Sequence, residues 1–99
     1  MTELFIFGRF HVKPEHVDRA AALLRQQVQA TRKEPGCCEI QVFCAIRDPQ
    51  LFLLHSRWNS VAAFDLHAEL PRTQRFIELI CSWSDFPPDV TRTHVIDTD

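Results

Sequence analysis

The sequence predicts an α+β fold of ferredoxin-like type, a β-α-β-β-α-β sandwich whose antiparallel sheet is covered by helices on one face. Three observations predict it. Strand-like and helix-like segments follow one another in that order, and the strands alternate between a nearly all-apolar residue set and a mixed one. With 99 residues, 45% of them hydrophobic and 24% charged, the chain also has the profile of one globular domain spanning 1–99, with no room for a second.

Leu4 to Val12 is aromatic and β-branched enough for a first strand, and Lys13-Pro14-Glu15 stops it and opens a helix with Pro near its first position. Val17, Ala21, Leu24, Val28 and Thr31 then recur at helical steps while Asp18, Arg19, Arg25, Gln26 and Gln29 fall elsewhere on the wheel, so one long amphipathic helix is expected. Glu34-Pro35-Gly36 ends it, because Pro lacks a donor and Gly accepts the turn conformation. A second strand runs from Cys37 to about Arg47, Asp48-Pro49-Gln50 makes a tight connection, and Leu51 to Trp58 is the third strand. Asn59 or Ser60 caps a helix carrying Val61, Phe64, His67 and Leu70. Pro71 breaks or restarts it, Phe76, Ile77, Ile80 and Trp83 mark its inward face, Pro87-Pro88 ends it, and Val90 to Ile96 is the last strand.

This order predicts strands arranged 4-1-3-2. Alternate residues then define two faces. Leu4, Ile6, Phe10, Val12, Cys38, Ile40, Val42, Cys44, Phe52, Leu54, Trp58 and Val95 should face the helices. The opposite set mixes Phe5, Phe7, Phe43 and Leu53 with Arg9, His11, Glu39, Gln41, His55, Arg57, Arg92 and His94. An apolar patch on an otherwise solvated face marks an interaction surface, so a face-to-face homodimer is expected.

Composition excludes several functions. Eleven Lys and Arg against 13 Asp and Glu, both signs scattered, give no field for a phosphate backbone, so no nucleic-acid partner is expected. Met1-Thr2-Glu3-Leu4-Phe5 carries an acid where a signal peptide carries bases, and Arg9 interrupts the apolar run before it could span a bilayer. A cytoplasmic protein without a membrane partner follows. Cys37, Cys38, Cys44 and Cys81 form no C-x-x-C pair and read as buried reduced thiols. Only two glycines and no phosphate-binding loop leave nothing that demands an organic cofactor, and Ser56 and Ser60 lack a nucleophile-elbow motif. His11, His55 and His94 share the outer sheet face on neighbouring strands. They read as polar interface residues beside Glu39 and Arg57 rather than as a metal site, although three imidazoles in register would make one.

Three stretches together resemble the antibiotic biosynthesis monooxygenase domains: Thr31-Arg32-Lys33-Glu34-Pro35-Gly36-Cys37, the W-x5-F-x2-H pattern of Trp58, Phe64 and His67, and Pro71 followed by Phe76. The resemblance runs from the V-x-P-E-H of Val12 to His16 through the last strand. It implies a dimeric α+β barrel of two sheets packed face to face, and cofactor-independent oxygenation of quinols or anthrones. The family also holds haem-degrading enzymes and an isomerase of a phosphorylated sugar. The chain departs from the pattern at Ser56, where these domains often carry Glu two residues before the Trp. It also lacks the first-strand Asn and last-helix His of the haem-degrading branch, offering Gly8 or Arg9 and Gln74 or Arg75 instead.

A cofactor-free oxygenase needs an electron-rich substrate once deprotonated, an apolar cavity and a base. His67, one turn after Phe64, is the candidate base, since imidazole accepts a proton near neutrality. Trp58, Phe64 and Phe76 are expected as walls, and Ser56 as a hydrogen-bonding partner for a substrate oxygen. The expected activity is monooxygenation of a small hydroxylated aromatic without metal or cofactor. The alternatives are a dimer that binds a small molecule without turnover, and an isomerase of a small phosphorylated metabolite.

Overall fold

The computed structural model describes residues 3–99. Strand β1 (Leu4–His11) alternates inward and outward residues along its length, and leads through Lys13 into a single 3-10 turn (Pro14–His16) that runs on into helix α1 (Val17–Thr31). The apolar stripe of α1 buries Ala20, Leu24 and Val28. Its last turn tightens as the N–H groups of Arg32, Lys33 and Glu34 donate to the carbonyls of Val28, Ala30 and Thr31. Pro35 then adds no donor, and Gly36 takes a φ of +87°, the one positive φ among the described residues. The helix thus ends at Thr31, three residues before the Glu34-Pro35-Gly36 stop.

Strands β2 (Cys37–Cys44) and β3 (Leu51–Trp58) form an antiparallel hairpin, with Asp48 accepting from the Gln50 N–H in the connection. Ser60 is the cap of helix α2 (Val61–Glu69), its Oγ accepting from the Ala63 N–H at 3.1 Å. Pro71 restarts the chain as a separate helix α3 (Pro71–Trp83), and β4 (Asp89–Thr93) returns beside β1. All pairings are antiparallel and the order is β2-β3-β1-β4, the 4-1-3-2 arrangement expected.

Five expectations are corrected. Arg92 lies opposite Ile6, on the face the helices cover instead of the outer one. β2 ends at Cys44 instead of Arg47, because the chain turns so that the Ala45 N–H donates to the Leu51 carbonyl. β4 ends at Thr93 instead of Ile96: Thr93 lies opposite Phe5 and β1 starts one residue earlier, so Val95 has no neighbour and is exposed. Cys38 does not face the helices, because a β-bulge between Cys37 and Glu39 puts Cys37 opposite Trp58 in the inward place. The thiols are free but not buried, Cys38, Cys44 and Cys81 being exposed and Cys37 half-buried.

The core lies between the inner sheet face and the helices, in two clusters. Phe10, Val12, Ala20, Leu24, Phe52, Phe76 and Ile80 form one, with Phe10 set edge-on to Phe76. Leu4, Ile6, Trp58 and Phe64 form the other. No helix among the described residues is long and apolar enough to cross a membrane.

Candidate active site

A cavity of about 290 Å³ opens between the inner sheet face and the three helices. Its floor is Ile6, Gly8, Ile40 and Leu54 from the sheet, its walls are Phe64, Phe76 and Ile77, and its polar groups are Gln27, Ser56, His67, Thr73 and Arg92. Gly8 matters to the floor. A side chain there would press on the Phe10 ring edge, 3.1 Å from the position of its first carbon, and on Leu54, so the space above the strand exists because Gly8 leaves it empty.

His67 is buried at the C-terminal end of α2, and its ring packs against Trp58 at 4.9 Å and Phe64 at 5.5 Å between centroids. Its Nδ1 lies 2.8 Å from Glu34 Oε1. A carboxylate only accepts, so Nδ1 carries the proton and Nε2 keeps its lone pair. Glu34 also accepts from Arg72, the residue after the α3 proline. Burial holds the His67 pKa below the ordinary 6.5, the Glu34 hydrogen bond and charge oppose that shift, and the Arg72 guanidinium adds to it. The result is a neutral imidazole with one committed nitrogen and one free.

Local sequence explains how Glu34 gets there. A first side-chain carbon at Gly36 would collide with Ala63 in the first turns of α2, so the glycine lets α2 settle directly on the turn that carries Glu34.

Of the expected site residues, Ser56, Phe64, His67 and Phe76 all line the cavity. Trp58 does not. It is fully buried behind them, its indole Nε1–H donating to Ser56 Oγ at 2.9 Å while its ring supports Phe64 and His67. The expectation of Trp58 as a wall is therefore corrected: it holds the wall in place. Ser56 Oγ spends one lone pair on the indole and keeps its own O–H to donate.

The histidines of the outer face are separated by strand register. His55 pairs opposite Phe7, packing on it at 5.1 Å, whereas His11 lies at the far end of β1 opposite Leu51, and His94 falls beyond β4. His11 is held by two carboxylates, Nδ1 at 2.7 Å from Asp85 and Nε2 at 2.8 Å from Asp48. Among the described residues no group of three His, Cys, Asp or Glu side chains is placed to hold a metal ion. Nearby on the same face, Phe7 and Phe43 are about half exposed, at 52% and 49%, and Arg57 pairs with Glu3 and Glu39.

Residues 4–79 match the family model for antibiotic biosynthesis monooxygenase. The chain belongs to this family. A crystal structure of an antibiotic biosynthesis monooxygenase superposes with a TM-score of 0.89 at 28% identity, covering 95% of this chain and 99% of that one. YcnE of Bacillus subtilis, which carries a provisional monooxygenase name, is 27% identical over 84 residues, 85% of this chain and 88% of YcnE. The uncharacterized protein sll1783 of Synechocystis is 28% identical over 75 residues, 76% of this chain, and the match spans about half (51%) of that protein.

In this antibiotic biosynthesis monooxygenase domain, the residues that sequence reasoning missed are Glu34, Arg72, Arg92, Gln27 and Thr73. Glu34 was visible only as part of a turn motif. Gln27 and Thr73 carried a clearer signal, since Gln27 lies one helical turn after Leu24 and one before Thr31, and Thr73 one turn before Phe76, which places both on buried helix faces.

Proposed function

We propose that this chain is a monooxygenase that needs no cofactor and acts on a small hydroxylated aromatic of quinol or anthrone type. One observation carries the reading: a neutral, buried His67, fixed through Nδ1 by Glu34, lines an apolar cavity with Nε2 free. An anthrone-type methylene bound there loses a proton to Nε2, and the delocalised carbanion passes one electron to dioxygen. The radical pair joins in a C–O bond, the peroxide takes the proton back, and loss of water breaks the O–O bond and the second C–H bond. One methylene group and one dioxygen thus become one carbonyl group and one water, with the substrate supplying all the electrons. Cavity walls of Phe64, Phe76 and Ile77 exclude water from the carbanion. Oxygen-electrode assays of chelator-treated, flavin-free protein with quinols and anthrones test it. Uptake of one dioxygen per product, lost in His67→Ala, is expected; no uptake with any of them overturns it.

We further propose that the outer sheet face is covered by a second copy of the chain. Phe7, Phe43 and Leu53 supply an exposed apolar centre, and the Arg57 pairs with Glu3 and Glu39 a polar rim. Light scattering at tens of micromolar tests this, a dimer mass being expected and a monomer mass overturning it.

A further inference from the structure

We propose that Gln27 and Thr73 form a polar anchor that holds an oxygen atom of the ligand on the helix side of the cavity. This rests on the reading that the cavity is the ligand site. Three buried side-chain polar atoms have no hydrogen-bond partner among the described residues: His16 Nδ1, Thr31 Oγ1 and Thr73 Oγ1. Of these, only Thr73 lines the cavity. Gln27 lines it too, and is 5% exposed against 7% for Thr73, while its amide makes no side-chain hydrogen bond among the described residues. An unmade hydrogen bond on a buried group is costly, so a fold that leaves Thr73 Oγ1 unpaired on this cavity has it partnered when something occupies the space, with the Gln27 amide lining the same cavity. Thr73 stands in the first turn of α3, where the positive end of the helix dipole favours an oxygen of negative character.

The two groups sort ligands by chemistry. Thr73 offers a hydroxyl donor, and Gln27 offers both a donor and an acceptor, so together they accommodate a phenolic hydroxyl, a phenolate or a carbonyl oxygen. Every other cavity wall on the helix side is apolar except His67, which is committed through Nδ1. A bare hydrocarbon of the same shape fits the walls but leaves both groups unpaired, and sites built this way reject such analogues strongly. Within the aromatic class proposed above, the two groups select a ligand that carries an oxygen where it meets the helix side of the cavity.

The test uses naphthalene-1,4-diol and naphthalene as probes, titrated anaerobically into wild-type protein, Thr73→Val and Gln27→Met. Both substitutions keep the shape while removing the polar group. Without ligand, Thr73→Val should not melt lower than wild type, because it deletes an unpartnered group. With ligand, each variant should bind the diol about tenfold more weakly while naphthalene binding is unchanged, collapsing the preference of the wild type for the diol. A drop of several degrees in the ligand-free melting temperature of Thr73→Val would show a structural hydroxyl and overturn the proposal. So would unchanged diol affinity in both variants, or a wild type that binds naphthalene as well as the diol, or neither. Tight diol binding with no oxygen uptake defeats the oxygenase reading and leaves the anchor standing.

Discussion

The two faces of one sheet each hold a histidine against carboxylate, and the two behave oppositely. On the inner face His67 has one carboxylate partner, Glu34, and is buried against Trp58 and Phe64, so desolvation wins and its pKa falls. At the rim of the outer face His11 has two, and the hydrogen bonds to Asp85 and then Asp48 raise its pKa above 6.5. The contrast teaches that a carboxylate neighbour does not by itself decide a histidine's charge; the amount of water removed around the ring decides how much that neighbour can offset. The inner histidine is kept neutral, the state that its proposed role as a base requires. The outer one, whose two carboxylates favour its charged form, is a clamp joining the β2-β3 connection and the segment after α3 to the end of β1.

The largest effects should separate the two faces outright. Phe10→Ala, on the inner face, removes a ring packed on Phe76 and should cost about 3–5 kcal/mol in chemical denaturation. Phe43→Asp, on the outer face, should leave the fold intact but bury an unpaired charge in the proposed dimer, at about 3–5 kcal/mol of association, so that light scattering reports monomer. Equal stability losses from the two substitutions would erase the distinction between the faces.

His67→Ala comes next. Turnover should fall about a hundredfold or more, the usual loss on removing a general base. Stability should fall by about 2 kcal/mol in denaturant titration, because the ring is buried on Trp58 and Phe64 and its loss strips Glu34 of one partner. Full turnover in this variant removes His67 from the mechanism.

The smallest effects lie in pH dependence, and their signs are opposite. A lowered folded pKa means that the stability His67 supplies is complete above 6.5 and is lost as pH falls from there through the folded value. The melting-temperature gap between wild type and His67→Ala should narrow on acidification below 6.5. A raised folded pKa means that the His11 contribution is complete below 6.5 and is lost as pH rises through the folded value. The gap between wild type and His11→Asn should narrow on alkalinisation. Gaps that move the same way with pH would break the comparison.

Most of the fold was legible because strand alternation and helical spacing record burial directly. Leu4, Ile6, Phe10, Val12 and Trp58 point inward as their parity demands. What escaped was register and length. Cys38 obeys parity until the bulge inserts one extra residue, and the β4 boundary depends on where its partner β1 begins, which no local pattern contains. The site shows the same division. His67 and Phe64 were legible as one helical face, but the Glu34 contact spans 33 positions and is made by packing of α2 on a turn. Trp58 was legible as important and misjudged in role, because a sequence shows that an aromatic is inward without showing how many side chains stand in front of it.

Gly8 puts stability and capacity in opposition at a single backbone position. Glycine inside a strand gives up both packing and chain stiffness, and any larger residue there would recover some of each. It would do so by advancing on Phe10 and Leu54 into the cavity proposed to hold the ligand. Selection for thermal robustness and selection for an open cavity therefore pull this residue in contrary directions.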